Sequence, residues 1–190
     1  MLYYRKPHYY RYFVKRPKKR TALINRGYLL RMRAIEYQLT AFLSCTSGRK
    51  VVINLGCGYD ALPFRALSEF PKLCSGTVFV DVDYETLIRQ KVQIIKQNPE
   101  LLCLLGDVDS TKRDEITILH AEKYLAVACD LADSRPLQDL LAKEFDSEVS
   151  FFIISEVSIT YMPVGTADAI LSWTSRLKSG RSSGRFGLQG

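Results

Sequence analysis

The chain has 190 residues, of which 47% are hydrophobic and 25% are charged, an ordinary composition for a single soluble globular domain. It has no apolar run near the ~20 residues of a membrane span, so we expect no membrane association. Its five scattered cysteines show no disulfide framework, which predicts a reducing, cytoplasmic location. Its two histidines and the cysteines show no zinc-ligand spacing, so we expect no metal. The net charge of +7 comes from the ends: residues 1–35 hold 11 Lys and Arg and residues 176–190 hold four, without an acid, whereas the residues between them carry a net −8.

Residues 1–20 predict an irregular basic arm, because Pro7 and Pro17 interrupt any long helix. A basic, tyrosine-rich arm suits a polyanion such as RNA. A solvated tail and a mitochondrial import presequence are the two alternatives. The presequence is the least favoured of the three, because the arm runs without a small-residue cleavage signal into a segment with structural periodicity.

The rest of the chain alternates helices and strands. The apolar periodicity predicts a first helix over residues 26–42. Strands follow at about 51–55, 77–82, 124–129 and 149–155, and helices at about 62–70, 84–96, 136–145 and 166–177. Residues 106–122 are polar and predict an irregular connection, and the Gly/Ser/Arg-rich residues 178–190 predict a disordered tail. This alternation is typical of an α/β fold with a parallel sheet covered on both faces.

Polar residues follow every predicted strand. Gly56 and Gly58 follow the first, and acids follow the other three: Asp81 and Asp83, then Asp130, then Glu156. Ligands of parallel α/β sheets bind at the carboxyl ends of the strands. The sequence therefore predicts a nucleoside-binding cleft. The Gly-x-Gly turn alone is a weak signal, because position 61 is Ala61 instead of the third glycine, and an ordinary strand-to-helix turn is the alternative for that segment.

Several motifs resemble the leucine carboxyl methyltransferase family, whose members have the class I S-adenosylmethionine-dependent, Rossmann-like fold. The resemblance covers residues 20–177 and is carried by Ile24-Asn-Arg-Gly-Tyr-Leu-Leu-Arg31, Asn54-Leu-Gly-Cys-Gly-Tyr-Asp60, Phe79-Val-Asp-Val-Asp83, Cys129-Asp-Leu131 and Ser155-Glu-Val-Ser-Ile-Thr-Tyr-Met162. It implies a carboxyl O-methyltransferase that uses S-adenosyl-L-methionine.

The family has two main branches, which differ in substrate. One methylates the C-terminal leucine carboxylate of the protein phosphatase 2A catalytic subunit. The other completes wybutosine, the modified guanosine beside the anticodon of phenylalanine-specific tRNA. The stretch Phe13-Val-Lys-Arg-Pro-Lys-Lys-Arg20 is more similar to the tRNA wybutosine-synthesizing branch. The resemblance thus implies tRNA as the partner, with the phosphatase subunit as the alternative.

The resemblance also implies which residues contact the amino-acid end and the nucleoside end of the cofactor. Arg31 matches the position that binds the cofactor carboxylate, as a guanidinium does bidentately; an exposed helix charge is the alternative. Gly56 matches the first glycine of the turn against the cofactor. Asp83 matches the ribose-binding acid, with a helix N-cap before Tyr84 as the alternative.

The remaining matches lie after the third and fourth strands. Asp130 and Leu131 match the pair beside the adenine, and Glu156 matches the acid near the cofactor's amino-acid moiety. Tyr161 is a candidate to orient the substrate carboxylate, with a packed aromatic before Pro163 as the alternative. We name no catalytic base, because a carboxylate nucleophile is already deprotonated at neutral pH.

The chain departs from the family beyond the fourth strand. A complete fold of this class has three more strands, so we expect residues 21–177 to form a partial methyltransferase domain, incomplete after the fourth strand. In the usual order 3-2-1-4 the fourth strand would be an open edge, with Phe151, Phe152, Ile153 and Ile154 uncovered. We therefore expect the chain alone to be a poor enzyme, or a non-catalytic nucleoside- or RNA-binding remnant.

Overall fold

The computed structural model describes residues 9–14, 21–112 and 114–177. The predicted tail at residues 178–190 and most of the predicted arm lie outside these residues. The helices are α1 (Tyr10–Phe13), α2 (Ala22–Cys45), α3 (Leu62–Glu69), α4 (Glu85–Gln97), α5 (Pro99–Leu104), α6 (Arg135–Glu144) and α7 (Val164–Arg176). The strands are β1 (Lys50–Leu55), β2 (Thr77–Asp83), β3 (Thr117–Ala121), β4 (Tyr124–Ala128) and β5 (Ser150–Ile154).

The five strands form one sheet in the order β3-β4-β2-β1-β5. Neighbouring strands are parallel except for the antiparallel pair β3 and β4. The predicted α/β class and the predicted order of the four parallel strands are confirmed. Because these four strands are parallel, their carboxyl ends meet at one edge, where the polar residues were expected to converge.

Two clusters of apolar side chains cover the two faces of this sheet. The first cluster lies between the sheet and α1 to α5 and contains Phe64, Phe79 and Ile88, all at most 1% exposed. The second lies beneath α6 and α7 and contains Trp173 and Ile170. Every residue of β1 is buried, as expected for a central parallel strand with helices on both sides.

Three segments differ from their prediction. Residues 106–122 were predicted to be irregular, but Thr117–Ala121 is a strand that pairs with β4 around a tight connection. Its pattern is masked by polar neighbours and by an irregularity between Thr117 and Leu119. After the predicted helix at about 84–96, a further short helix that was not predicted, α5, begins at Pro99, because proline is tolerated in the first turn of a helix. Residues 10–13 of the predicted irregular arm form a helical turn.

The outer strand β5 is better covered than predicted. Phe152 and Ile154 are only 6% and 5% exposed, and the ring of Phe152 lies 5.3 Å from that of Phe42 on α2. On the other face, Phe151 makes an edge-on contact with Phe145 at 6.4 Å. The prediction that these side chains are uncovered is therefore wrong for Phe152 and Ile154, whereas Phe151 and Ile153 stay partly exposed. Within the described residues, β5 pairs only with β1.

Candidate functional site

The glycine turn, residues 56–60, joins β1 to α3 at the carboxyl edge of the sheet. Its first two backbone N–H groups, from Gly56 and Cys57, both donate to the Val82 carbonyl, at 2.9 and 3.1 Å. Gly56 and Gly58 have φ values of +73° and +51°, which favour glycine. A side chain at Gly56 would overlap Ser158, whereas no described residue lies within 4 Å of a Cβ built on Gly58. The open approach to this turn is therefore at Gly58.

Asp83 ends β2 beside that open approach. Its Oδ2 atom accepts the Gly58 N–H at 2.8 Å, and its Oδ1 atom accepts the Tyr84 N–H at 2.8 Å. The N-cap residue of α4 is Tyr84, and no side chain caps this helix, so the alternative that Asp83 is the N-cap is wrong. A carboxylate has about four lone-pair sites, so Asp83 keeps acceptor capacity for a ligand hydroxyl.

Arg31 and Glu156 are 125 positions apart in sequence and meet in an ion pair. The Arg31 Nε atom lies 3.0 Å from the Glu156 Oε1 atom, and the two side chains are 36% and 28% exposed. The guanidinium also lies 4.6 Å above the ring centre of Tyr28. Arg31 is thus a held, half-buried cation, and the alternative of a lone exposed helix charge is wrong. The pair presents one positive and one negative group side by side.

The loop after β5 brings Glu156 to the glycine turn. The Ser158 hydroxyl donates to the Leu55 carbonyl at 2.7 Å, so the Ser155 hydroxyl, 2.7 Å away, donates to Ser158. Between them, Val157 has a φ of +65°, a strained conformation for a β-branched residue. The two serines were visible in the Ser155–Met162 motif but received no role, and no sequence signal marks the strain at Val157.

The other predicted residues are dispersed along the same edge. The Cys129 N–H donates to the Asp83 carbonyl at 2.9 Å, which brings Asp130 close to Asp83. Asp130 is exposed, and its Oδ1 atom accepts the Ala132 N–H at 2.9 Å. Leu131 is only 6% exposed and packs in the second apolar cluster. Tyr161 is 84% exposed, so the alternative that it is a packed aromatic is wrong.

Asp81 does not reach the cleft, contrary to expectation. Its side chain is 1% exposed and pairs with Lys91, itself 0% exposed, at 2.8 Å. The Tyr124 hydroxyl donates to the same carboxylate at 2.7 Å. Burial is the largest single effect on Lys91 and lowers its pKa, but Asp81, Cys57 and Asp60 together outweigh burial and raise the pKa of Lys91 above its ordinary value. The sequence shows no partner for Asp81, because Lys91 lies on another element.

Asp60, like the two serines, received no role from the sequence. Its Oδ2 atom accepts from the Asn54 amide at 3.2 Å, and its Oδ1 atom accepts the Leu62 N–H at 3.1 Å. Burial raises the pKa of Asp60, although the charge of Lys91 opposes the rise. Asp60 therefore fixes the exit of the glycine turn into α3.

Three of the five cysteines, Cys57, Cys74 and Cys129, are buried, and all five are free thiols. Among the described residues, no group of three or more His, Cys, Asp and Glu side chains is placed to hold a metal ion. None of the helices in the same part of the chain is both long and apolar enough to cross a membrane.

Comparisons with known proteins show which family the chain resembles. A family model described as leucine carboxyl methyltransferase matches residues 3–175. Among curated proteins, the tRNA wybutosine-synthesizing protein 4 of Aspergillus fumigatus is 45% identical over 181 residues, which are 94% of this chain and 17% of that protein. The protein of the same name from Saccharomyces cerevisiae is 37% identical over 182 residues, covering 90% of this chain and 26% of that protein. The chain thus spans about a quarter or less of these two relatives.

Proposed function

The chain belongs to the leucine carboxyl methyltransferase family, and on that premise we propose that it binds S-adenosyl-L-methionine at the carboxyl edge of its sheet and methylates a carboxylate oxygen. The observation that carries the proposal is the ion pair between Arg31 and Glu156, 3.0 Å long. Two residues so far apart in sequence meet where the loop after β5 touches the glycine turn.

The ion pair suits the amino-acid end of the cofactor. That end carries an α-carboxylate and an α-ammonium group, the opposite charges to Arg31 and Glu156. A guanidinium binds a carboxylate through two parallel N–H donors. On binding, Arg31 would exchange the Glu156 carboxylate for the ligand carboxylate, and Glu156 would exchange the guanidinium for the ligand ammonium. No charge would then be left buried and unpaired.

Asp83 and Asp130 suit the nucleoside end. Asp83 is held by two backbone N–H groups and keeps acceptor sites for a ribose diol. Asp130 is exposed next to it and accepts one backbone N–H, which leaves its other oxygen for an amine donor such as that of adenine. Gly58 has open space beside its Cα atom, which allows a ligand to approach the backbone between these two ends. The side chain of Leu131 is largely enclosed in the core, so any contact with the adenine would come from its exposed rim.

Methyl transfer to a carboxylate requires little acid–base catalysis by the protein. When bound, the cofactor supplies an electrophilic methyl group on a sulfonium. The residues of this chain would then act by binding and orientation, which can lower a barrier by roughly 7–11 kcal/mol. Gly56, packed against Ser158, would keep the turn and the loop after β5 at a constant separation. Tyr161, exposed beyond that loop, is the candidate to orient the substrate carboxylate.

For the substrate, we propose the wybutosine precursor of phenylalanine-specific tRNA. The two relatives described above are named tRNA wybutosine-synthesizing proteins, which favours tRNA over the phosphatase 2A catalytic subunit. The 11 Lys and Arg of residues 1–35, without an acid, suit a polyphosphate partner. A cytoplasmic location is consistent with such a substrate and stays a prediction.

Calorimetry with S-adenosylhomocysteine tests the cofactor. We expect binding in the micromolar range, about −8 kcal/mol. The double variant Arg31→Ala/Asp83→Ala should abolish the heat signal, and Arg33→Ala is the matched control, because its 3.1 Å ion pair with Glu36 is confined to α2. Equal affinity of wild type and the double variant would remove the assignment.

Filter binding at several salt concentrations tests the nucleic acid. Phosphate contacts make the affinity for tRNA fall steeply with salt, with a slope that increases with the number of neutralised phosphates. Replacing the six residues Lys15 to Arg20 by Gly and Ser should flatten that slope. An affinity insensitive to salt would contradict the proposal. An assay with tritiated cofactor and tRNA lacking the final ester measures the reaction itself, with a full-length relative as reference.

A further inference from the structure

A short N-terminal turn, residues 9–14, lies against the back of the glycine turn. It consists of helix α1 and its two flanking residues. Although the surrounding sequence is strongly basic, Tyr9 and Phe13 are only 4% and 7% exposed and belong to the first apolar cluster. Burial of two aromatic side chains identifies the turn as a docked element of the domain.

Phe13 contacts three residues on different elements at or behind the glycine turn. Its ring lies 6.5 Å from that of Tyr59, nearly parallel to it at 28°, and Tyr59 belongs to the glycine turn. The same ring lies 5.5 Å from Phe64 on α3, the helix that follows the glycine turn. Its centre lies 5.7 Å from the Lys91 ammonium, a cation–π contact. One side chain therefore bridges the turn, the helix after it and the buried ion pair with Asp81.

The neighbouring contacts hold Phe13 and Tyr59 in place. The Tyr12 hydroxyl bonds to Glu100 on α5, and Arg11 pairs with the same carboxylate at 3.4 Å. Across the ring contact, the Tyr59 hydroxyl donates to Gln90 on α4 at 2.5 Å. The contacts of Arg11 and Tyr12 with Glu100, and of Tyr59 with Gln90, are exposed and contribute little to the free energy of folding. The buried ring of Phe13 is therefore the principal link between the N-terminal turn and the glycine turn.

We propose that Phe13 is a positioning residue of the cofactor site, which holds the glycine turn in its binding conformation by packing on Tyr59 and Lys91. This inference rests on the proposed cofactor site at that turn. The N–H groups of residues 56–58 all donate to the end of β2, so that part of the turn is already fixed. The ring of Phe13 adds a restraint at the next residue, Tyr59, beside the open approach at Gly58. Packing from behind reduces the number of conformations that binding must select.

A purely structural role for Phe13 makes a different prediction. If the ring only fills the core, its removal lowers the melting temperature without changing the cofactor site of the folded protein. If it positions the turn, its removal also weakens the ligand and loosens the backbone of residues 57–59. Phe145 provides the matched control, because it is a buried phenylalanine that contacts Phe151 on the opposite face of the sheet.

The experiment compares Phe13→Ala, Phe13→Leu and Phe145→Ala with wild type, well below their melting temperatures. Calorimetry with S-adenosylhomocysteine should show about tenfold weaker binding for Phe13→Ala and a change within about twofold for Phe145→Ala. Hydrogen exchange of the Cys57, Gly58 and Tyr59 amides should accelerate in Phe13→Ala alone. Phe13→Leu, which restores the apolar volume, should recover most of the affinity.

Two results would overturn the inference: an affinity of Phe13→Ala equal to that of wild type, or equal weakening by Phe145→Ala. If Phe13→Ala does not fold, Phe13→Leu should still accelerate exchange at Tyr59 relative to Phe145→Leu, and unchanged exchange would overturn the proposal. A wild-type protein that fails to bind S-adenosylhomocysteine would instead refute the proposed function. Hydrogen exchange without ligand would then still report whether Phe13 holds the turn.

Discussion

The two ends of the candidate site are built by different kinds of contact. At the nucleoside end, Asp83 and Asp130 are held by backbone N–H groups of nearby residues, at 2.8–2.9 Å. At the amino-acid end, Arg31 and Glu156 are held mainly by each other, across 125 positions of sequence. Both pairs lie at the carboxyl edge of the sheet, but only the first is fixed by the main chain.

This difference teaches how each end can respond to a ligand. Backbone donors hold a carboxylate without competing for all its lone pairs, so we expect the proposed nucleoside end to be preorganised and to change little on binding. A side-chain ion pair that is about one-third exposed is worth only ~1 kcal/mol, so it can open to admit the charged groups of a ligand. The contact between Gly56 and Ser158 joins the two ends.

The largest expected effect comes from disrupting the contact between Gly56 and Ser158. Gly56→Ala places a methyl group on Ser158 and a non-glycine residue at a φ of +73°, so it should lower the free energy of unfolding by roughly 2–4 kcal/mol. Gly58→Ala, which meets no neighbour, should cost only about 1–2 kcal/mol. Urea denaturation checks both values. Equal losses would mean that the loop after β5 does not restrict Gly56.

The next effect tests the nucleoside end. Asp83→Ala removes the acceptor of two backbone N–H groups and a ligand contact, so S-adenosylhomocysteine should bind about 10–100-fold more weakly. Asp83→Asn keeps one carbonyl acceptor and should lose less. Calorimetry at constant pH measures both variants, and an unchanged affinity for Asp83→Ala would exclude this carboxylate from the site.

A smaller effect tests the amino-acid end. Arg31→Ala should weaken S-adenosylhomocysteine by about tenfold while it changes the free energy of unfolding by less than ~1 kcal/mol, because the ion pair is partly exposed. Adenosine, which lacks the amino-acid moiety, should bind wild type and Arg31→Ala equally. A loss of adenosine affinity in this variant would show that the ion pair supports the whole cleft and not one end of it.

The smallest effect concerns the outer carboxylate of the nucleoside end. Asp130→Ala removes one exposed capping bond to Ala132 and should cost about 0.5–1 kcal/mol of stability. Its effect on affinity should be about fivefold at most, below that of Asp83→Ala. Competition between adenosine and inosine derivatives sharpens the test, because only adenosine offers an exocyclic amine. A preference for adenosine that survives Asp130→Ala would assign its recognition to another group.

The parallel strands and the main helices could be predicted because their signals are local. The apolar run at residues 51–55 indicates a buried central strand, and the structure extends it by one residue to Lys50–Leu55. The helical periodicity before it was detected, although α2 extends beyond the predicted 26–42 at both ends. Thr117–Ala121 was missed because its few apolar residues lie in a mostly polar stretch, which weakens the strand signal.

The sequence by itself therefore determined the α/β class, the order of polar residues along the carboxyl edge and the family motifs. Only the tertiary structure decided which of those polar residues lie at the candidate site and which are buried in the core. Asp81 and Asp83 are two positions apart on one strand, yet Asp81 is buried against Lys91 while Asp83 holds the glycine turn. The reason is that hydrophobic periodicity and turn propensity depend on residues close together in sequence, whereas the partner of a side chain depends on which distant elements pack against it.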